Sequence, residues 1–198
     1  MPKLGMELIR KEQVIKATQR CIIEKGLSNM TVKDIALKAN VSTGIIYHYF
    51  KNKEDLLLQV IKESFGKSHE KVMETVEPLN SFSDKLNKHI ENINAVPKEN
   101  PDFYSVLLNY LGQAKNNPEV NAIIAKFFKN LRAYINQYMK EGIEEGKVDP
   151  DKAKLLSAII IGMGMGIGIQ WTIDPTSFDL DDIGEIYKAL VSAVAREA

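Results

Sequence analysis

The residues best suited to chemistry stand together between positions 42 and 53, where small side chains are followed by aromatic and basic ones. They are Ser42, Thr43, Gly44, Tyr47, His48, Tyr49, Lys51 and Lys53. Small residues at the start of a helix let its backbone approach a phosphate, and the free N–H groups there attract anions. The aromatic and basic side chains are long enough to reach phosphates and base edges. This set therefore indicates binding of a polyanion.

Catalysis has little support in the sequence. The three histidines, His48, His69 and His89, lack metal-ligand spacing, and no phosphate-cradling glycine loop follows a strand. His69 and His89 are expected to be exposed to solvent. The single cysteine, Cys21, falls on an apolar helical stripe and is expected to be a core residue in a reducing compartment. We therefore predict that the chain is not an enzyme, and we expect neither a metal nor a cofactor.

The distribution of charge points to a polyanion partner at one end of the chain. Residues 1–53 hold 10 basic against 4 acidic residues, a net charge of +6, and residues 54–198 hold 16 against 22, a net charge of −6. A basic head on an acidic body suits a polyanion bound by the head alone, although chance substitutions produce similar asymmetries. The first residues lack the apolar run of a signal peptide, so we expect a cytoplasmic protein.

Apolar residues recur at helical spacing along most of the chain, and no stretch alternates strictly between apolar and polar residues as a strand between hairpin turns would. This pattern predicts an all-α fold. The first helix is predicted over residues 8–25, with Gly26 as its left-handed stop. Its apolar face comprises Val14, Ala17, Thr18, Cys21 and Ile22. Beyond residue 70, prolines divide the chain into longer helices, predicted at residues 82–95, 101–115, 118–145, 150–173 and 181–197.

Two short helices follow the first one. Thr31 and Asp34 have the spacing of a capping box and open a helix that stops at Asn40, a residue that tolerates the left-handed conformation. Ser42 caps the next helix, which ends at Phe50. Two short helices joined by a tight turn form a helix-turn-helix unit, whose second helix enters the major groove of DNA while the first braces across the backbone. We therefore predict that this stretch binds double-stranded DNA.

These residues resemble the DNA-binding domain of the tetracycline-repressor (TetR) family. The resemblance rests on two runs, Thr31-Val-Lys-Asp-Ile-Ala and Val41-Ser-Thr-Gly-Ile-Ile-Tyr-His-Tyr-Phe-Lys-Asn-Lys-Glu-Asp-Leu-Leu57. Asn40 departs from the family, which commonly has glycine there, but asparagine can adopt the same conformation. The resemblance implies an N-terminal three-helix helix-turn-helix domain, residues 1–53, and a C-terminal helical ligand-binding and dimerisation domain, residues 54–198.

The resemblance also implies roles for single residues. DNA contacts are implied at Thr31, Ser42, Thr43, Gly44, Tyr47, His48, Tyr49 and Lys53. Thr31 and Ser42 would cap the two helices. A fourth helix is predicted to open at Asn52-Lys-Glu-Asp55, with Asn52 as its cap, and Lys53 would bind a phosphate from its start. Packing between the helices is implied at Ile35, Ile46, Phe50 and Leu56. Tyr49 suits either role, and both stay open.

The most apolar stretch, residues 155–171, contains four glycines: Gly162, Gly164, Gly166 and Gly168. Each costs about 1 kcal/mol relative to alanine in a helix interior, which close packing of another helix would offset. The last predicted helix carries an apolar stripe: Ile183, Ile186, Tyr187, Leu190 and Val194. These two helices from each subunit would form a four-helix dimer interface, as in the TetR family; the alternative is burial within one chain.

A helix buried in the protein accounts for residues 155–171 better than a membrane span, which needs about 20 apolar residues.

Seven aromatic residues are candidates for a ligand cavity, with ordinary core packing as the alternative. They are Phe65, Phe103, Tyr104, Tyr110, Phe127, Tyr134 and Trp171. The cavity itself is implied by the resemblance and not by their spacing.

The sequence thus predicts a homodimeric repressor that binds a palindromic operator and leaves it when a hydrophobic small molecule shifts the fourth helix. The alternative is a DNA-binding activator or scaffold without a ligand.

Overall fold

The computed structural model describes the backbone of residues 4–196, and the side chains of those residues other than 4–6, 67–69, 71 and 194–196. All regular structure within this part of the chain is α-helical, which confirms the predicted fold class. The helices are α1 (Leu4–Lys25), α2 (Val32–Ala39), α3 (Thr43–Tyr49), α4 (Lys53–Val76), α5 (Phe82–Glu99), α6 (Asp102–Ala114), α7 (Pro118–Glu144), α8 (Pro150–Ile173) and α9 (Leu180–Arg196).

The predicted helix bounds hold to within one residue for α6, α7, α8 and α9, but two predicted bounds are wrong. Helix α1 begins at Leu4 rather than at residue 8. Helix α5 continues past Pro97 to Glu99 rather than ending at residue 95. Proline removes one backbone donor, and so near the end of a helix it costs a single hydrogen bond. The N–H of Asn100 still donates to the carbonyl of Val96 at 2.8 Å, which completes the last turn.

The chain packs as two compact units. The first comprises Met1–Gly66 with Ser105–Ile124, and the second comprises Lys67–Tyr104 with Ala125–Ala198. Helices α4, α6 and α7 therefore each contribute residues to both units. The predicted domain boundary at residue 53, between DNA binding and ligand binding with dimerisation, stays a prediction.

The first unit is organised around α1, which packs against α2, and α2 packs against α3. The predicted apolar face of α1 is buried throughout: Val14, Ala17, Thr18, Cys21 and Ile22. Burial raises the pKa of the Cys21 thiol, which keeps it protonated and agrees with a core role. Gly26, at φ +76°, ends α1 in the left-handed conformation as predicted.

In the second unit, α5, α8 and α9 pack against one another. Aromatic residues of α7 and α9 join this core, with Tyr134, Tyr138 and Tyr187 all buried. Within the described residues, one helix, α8, has the length and composition of a membrane span, with a mean hydropathy of 1.6, and 33% of that span is buried in the chain. Its packing against α5 and α9 favours the sequence-based preference for a helix inside the protein.

Candidate nucleic-acid interface and internal cavity

The turn between α2 and α3 has the geometry that the sequence predicted. Asn40 adopts φ 52° and ψ 47°, and its N–H donates to the carbonyls of Ala36 and Leu37. Ser42 then caps α3, since its hydroxyl accepts from the N–H of Ile45 at 3.3 Å. The second helix therefore starts at a fixed angle to the first, as a helix-turn-helix unit requires.

The start of α2 is fixed by a complete capping box. The Thr31 hydroxyl accepts from the N–H of Asp34 at 3.2 Å, and the Asp34 carboxylate accepts from the N–H of Thr31 at 2.8 Å. Lys25 lies 2.6 Å from the same carboxylate. The hydrogen bond from Lys25, followed by those from Thr31, lowers the pKa of Asp34 to about 2. The predicted cap is confirmed, and an aspartate serves where glutamate is usual.

The outward face of α3 presents the residues that were predicted to contact DNA. Tyr47 is 54% exposed, and the His48 side chain is exposed with its Nε2 atom 3.6 Å from a Glu7 carboxylate oxygen. Tyr49 is half-buried, with its ring against those of His48 and Phe50 at centroid distances of 5.0 and 6.4 Å. Tyr49 therefore borders both the core and the surface, and its two predicted roles stay open.

The small residues at the start of α3 leave its backbone accessible. Ser42 and Gly44 are exposed and Thr43 is half-buried. A Cβ atom added at Gly44 would meet only the Ser42 hydroxyl, at 3.7 Å, which is ordinary van der Waals contact. Glycine is therefore not required at this position for packing within the chain.

Lys53 is placed differently from the expectation. Its ammonium group donates to the carbonyl of Met30 at 2.6 Å and to that of Leu27 at 3.2 Å. These carbonyls belong to the loop between α1 and α2, so Lys53 fixes the segment that leads to Thr31. An ammonium has three donors, which leaves one for a phosphate. Lys53 can therefore still contact a phosphate while it holds the loop between α1 and α2, a structural role that the sequence did not indicate.

The second unit encloses an apolar cavity of about 40 Å³ between α4, α5, α6, α7 and α8. Aliphatic and methionine side chains form most of its wall: Val72, Ile93, Val96, Leu131, Ile161 and Met165. The rings of Phe103, Tyr104 and Phe127 complete it, together with His89. The wall contains no carboxylate, lysine or arginine among these described residues. It therefore suits an uncharged, apolar group.

The structure brings together three of the seven aromatic candidates, namely Phe103, Tyr104 and Phe127. Phe65 and Tyr110 are buried in the first unit, and the Tyr110 hydroxyl donates to the carbonyl of Leu57 at 2.6 Å. The other two lie in the second unit without lining the cavity: Tyr134 is buried in the core beside it, and Trp171 is half-buried. The assignment of these four residues to the cavity wall is therefore corrected.

His89 is the cavity residue that sequence reasoning misplaced. It is 1% exposed rather than solvent-exposed, and its ring centroid lies 6.0 Å from that of Tyr134 and 5.8 Å from that of Tyr138. A signal was available, because His89 falls on the helical stripe that runs from Leu86 to Ile93. The side chain of His69 lies outside the described residues. No group of three metal-ligating side chains occurs in the described part of the chain.

The four glycines of α8 divide between two faces of the helix. A Cβ atom at Gly164 would lie 2.2 Å from Ile93, and one at Gly168 would lie 2.0 Å from Tyr104. Both glycines are therefore required inside the chain, and their predicted place at a dimer interface is wrong. No described residue lies within 4 Å of a Cβ atom added at Gly162 or Gly166, so these two glycines face outward.

The outward glycines lie on an exposed apolar face of α8 and α9. Exposed aliphatic residues occur on α8, namely Leu155, Ile159 and Ile173, and on the neighbouring helix α9, namely Ile186 and Leu190. Ile183 is half-buried. Tyr187 is buried and donates to the carbonyl of Ile160, so its predicted place at an interface is also wrong. The side chain of Val194 lies outside the described residues. The sequence did not single out Leu155, Ile159 or Ile173, because α8 is apolar on every side.

Family models match both the helix-turn-helix region and the C-terminal part of the chain. A family model described as "Bacterial regulatory proteins, tetR family" matches residues 14–60. A second model, described as "BetI-type transcriptional repressor, C-terminal", matches residues 83–196, which is more than half of the chain.

Individual relatives match along most of their length. The HTH-type transcriptional regulator BetI of Vibrio campbellii is 27% identical over 184 residues, covering 91% of this chain and 89% of the relative. The fatty acid metabolism regulator protein of Bacillus subtilis is 27% identical over 188 residues, covering 92% and 94%. The crystal structure of the regulator FadR from Bacillus subtilis in complex with stearoyl-CoA superimposes with a TM-score of 0.80 at 25% identity, covering 92% of this chain and 98% of that one.

These relatives are transcriptional regulators and not enzymes, and the resemblance seen in the helix-turn-helix is confirmed. The chain belongs to the TetR family of bacterial regulatory proteins, with a C-terminal domain of the BetI type, and is a DNA-binding, ligand-responsive transcriptional regulator.

Proposed function

We propose that this regulator is a cytoplasmic repressor that binds a palindromic operator as a homodimer and leaves it when an acyl-bearing small molecule enters the apolar cavity. The observation that carries the proposal is the wall of that cavity, which consists of aliphatic and aromatic side chains with one histidine and contains no carboxylate, lysine or arginine among the described residues. Such a wall favours a hydrocarbon ligand, because an unpaired charge is costly to bury. The Bacillus subtilis FadR structure, with stearoyl-CoA bound, supports the same ligand class.

We propose that residues 1–53 read the operator. The exposed face of α3 would enter the major groove with Thr43, Tyr47 and His48, while the capped start of α2 at Thr31 approaches a phosphate. The net charge of +6 over these residues supports a salt-dependent affinity for DNA. Each phosphate neutralised by a lysine or arginine should contribute about −0.9 to the slope of log affinity against log salt.

We propose that α8 and α9 form the dimer interface. The exposed apolar face, defined by Leu155, Ile159, Ile173, Ile186 and Leu190, would be covered by the same face of a second copy. A helix that is apolar on every side needs a partner on each side, and the described part of the chain covers only the inward face of α8. Gly162 and Gly166 would let the two copies of α8 approach closely. Two-fold symmetry would then match the symmetry of the operator.

The effector must enlarge the cavity, because about 40 Å³ accommodates little more than water. We propose that this enlargement displaces the start of α6, where Phe103 and Tyr104 form part of the cavity wall. Further along α6, the Tyr110 hydroxyl holds the carbonyl of Leu57 on α4 at 2.6 Å. The movement would therefore reach α4, whose first residue, Lys53, fixes the loop before α2. Ligand and operator would thus favour different arrangements of the same helices.

The experiment is a fluorescence anisotropy titration of the protein on inverted-repeat DNA from the region upstream of its own gene, at several salt concentrations, with and without stearoyl-CoA. We expect tight binding that weakens with salt and is released by stearoyl-CoA, but not by coenzyme A alone. Binding that does not respond to any acyl compound would overturn the effector class while leaving the DNA-binding function in place. Light scattering on the free protein should report a dimer.

A further inference from the structure

The wall of the cavity is mostly apolar but carries two polar side chains. His89 and Tyr104 are the two polar side chains among the described residues that line it. The Tyr104 hydroxyl is engaged, since it donates to the carbonyl of Gly164 at 3.4 Å. His89 is the lining residue that also contacts the rings of Tyr134 and Tyr138. His89 is therefore the lining residue that lies beside a further polar side chain, that of Tyr138.

Tyr138, next to His89, carries a hydroxyl group whose position has no structural explanation. The residue is 3% exposed, and its hydroxyl oxygen has no hydrogen-bond partner among the described residues. Three other buried tyrosines do have partners: Tyr104, Tyr110 and Tyr187 donate to the carbonyls of Gly164, Leu57 and Ile160. A buried hydroxyl without a partner is destabilising, and phenylalanine would fill the same space without that penalty. Burial also raises the pKa of Tyr138, so its hydroxyl keeps the proton that it can donate.

We propose that His89 and Tyr138 together bind the acyl oxygen of the effector, with the hydrocarbon chain lying against the apolar wall. The inference rests on the proposed function, in which an acyl compound enlarges this cavity. Tyr138 does not line the closed cavity, but its ring lies 5.8 Å from that of His89, so an enlargement on the side of His89 would reach it.

The chemistry of the two side chains selects an oxygen acceptor. A neutral tyrosine donates one O–H and an imidazole donates at least one N–H, so the two can converge on a single carbonyl or carboxylate oxygen. A quaternary ammonium group has no hydrogen-bond acceptor for these two donors, and the described cavity wall has no carboxylate to pair with its positive charge. A fatty acid and an acyl-CoA thioester both carry the required oxygen.

The test compares ligands that differ by this oxygen. Stearoyl-CoA and its thioether analogue, S-octadecyl-CoA, have the same chain and the same nucleotide but differ in the acyl carbonyl. The concentration that releases half of the operator DNA is measured for each ligand with the wild-type protein and with Tyr138→Phe and His89→Phe. We expect the wild type to prefer stearoyl-CoA by about thirtyfold, the effect of two hydrogen bonds, and each variant, which keeps one of the two donors, to retain a preference of about fivefold. Stearate, as a third ligand, distinguishes a carboxylate from a thioester.

A stability measurement separates ligand binding from a structural role. Tyr138→Phe removes a hydroxyl without a protein partner, so its melting temperature should stay unchanged or rise by up to about 4 °C. Tyr187→Phe is the matched control, because it removes a hydroxyl that is bonded to a carbonyl, and its melting temperature should fall by about 2–4 °C. Affinity for the operator without ligand should be unchanged in Tyr138→Phe.

Two results would overturn the proposal. One is a wild-type protein that responds equally to the thioester and the thioether, and the other is a Tyr138→Phe variant that is less stable yet keeps the full wild-type preference. Both leave the proposed function intact. A wild-type protein that no acyl compound releases from DNA would overturn the effector class itself, and this proposal with it.

Discussion

At the scale of single residues, Gly44 allows DNA contact to be separated from folding. Gly44→Ala adds a methyl group that meets only the Ser42 hydroxyl, so the fold should be kept and α3 stabilised by up to about 1 kcal/mol. If the start of α3 lies against the DNA backbone, the same methyl group should weaken operator binding about tenfold, or 1.4 kcal/mol. Gly112→Ala is the matched control, because Gly112 is exposed on α6 with open space around it. Equal operator affinities of the two variants would place the start of α3 away from DNA.

The capping box at Thr31 and Asp34 predicts a defined acid dependence. The pKa of Asp34 is about 2 in the folded chain, against 3.8 for an aspartate in the unfolded chain. The ionised carboxylate therefore stabilises the fold above pH 4, and this stabilisation is lost as the pH falls towards 2. Asp34→Asn should therefore be less stable than the wild type by a constant amount above pH 4. The difference should shrink between pH 4 and pH 2, as measured by denaturant unfolding at each pH. A difference that is the same at pH 2 and pH 7 would show that the carboxylate charge is not what stabilises α2.

At the scale of helices, the bond between α6 and α4 predicts how the cavity communicates with the DNA-binding residues. Tyr110→Phe keeps the ring but removes the hydrogen bond to the Leu57 carbonyl, worth about 1 kcal/mol. The variant should bind operator DNA with unchanged affinity and require about fivefold more effector for release. Tyr187→Phe removes a similar bond between α9 and α8 and should leave the effector concentration for release unchanged. If both variants respond to the effector like the wild type, coupling follows another route.

The helices also show what a sequence can reveal about this fold. The caps at Thr31 and Ser42, the left-handed Asn40 and the apolar face of α1 were predictable, because each depends on residues within a few positions of one another. The inward and outward faces of α8 were not predictable in this way. Every side of that helix is apolar, so periodicity could not distinguish Gly162, which faces outward, from Gly164, which packs against α5.

The cavity was predictable only in part, for a related reason. Phe103, Tyr104 and Phe127 were among the candidates, but aromatic composition alone could not separate them from Phe65 and Tyr110, which are core residues of the other unit. The position of His89 depends on its contacts with Tyr134 and Tyr138 on α7, which lie 45 and 49 residues further along the chain. A polar residue on an apolar stripe is the sequence feature that could have identified it.

At the scale of the whole molecule, the exposed apolar face of α8 and α9 predicts that dimerisation and operator binding are lost together. Ile159 belongs to that face and is 46% exposed, so Ile159→Glu should be tolerated in the single chain but would place two buried carboxylates in the dimer. Light scattering should then report a monomer that remains helical by circular dichroism. A single recognition helix contacts one half-site, so affinity for the full operator should fall by at least about a hundredfold, or 2.7 kcal/mol.

Leu108→Glu is the control for this change, because Leu108 is a 37% exposed aliphatic residue on α6 and lies in the first unit. It introduces the same charge outside the apolar face, so the dimer and its affinity for the operator should remain. A dimeric Ile159→Glu protein would place the interface elsewhere on the surface. A monomer that still binds the full operator with wild-type affinity would instead show that the two half-sites are bound independently, because a dimer gains affinity only when one protein contacts both.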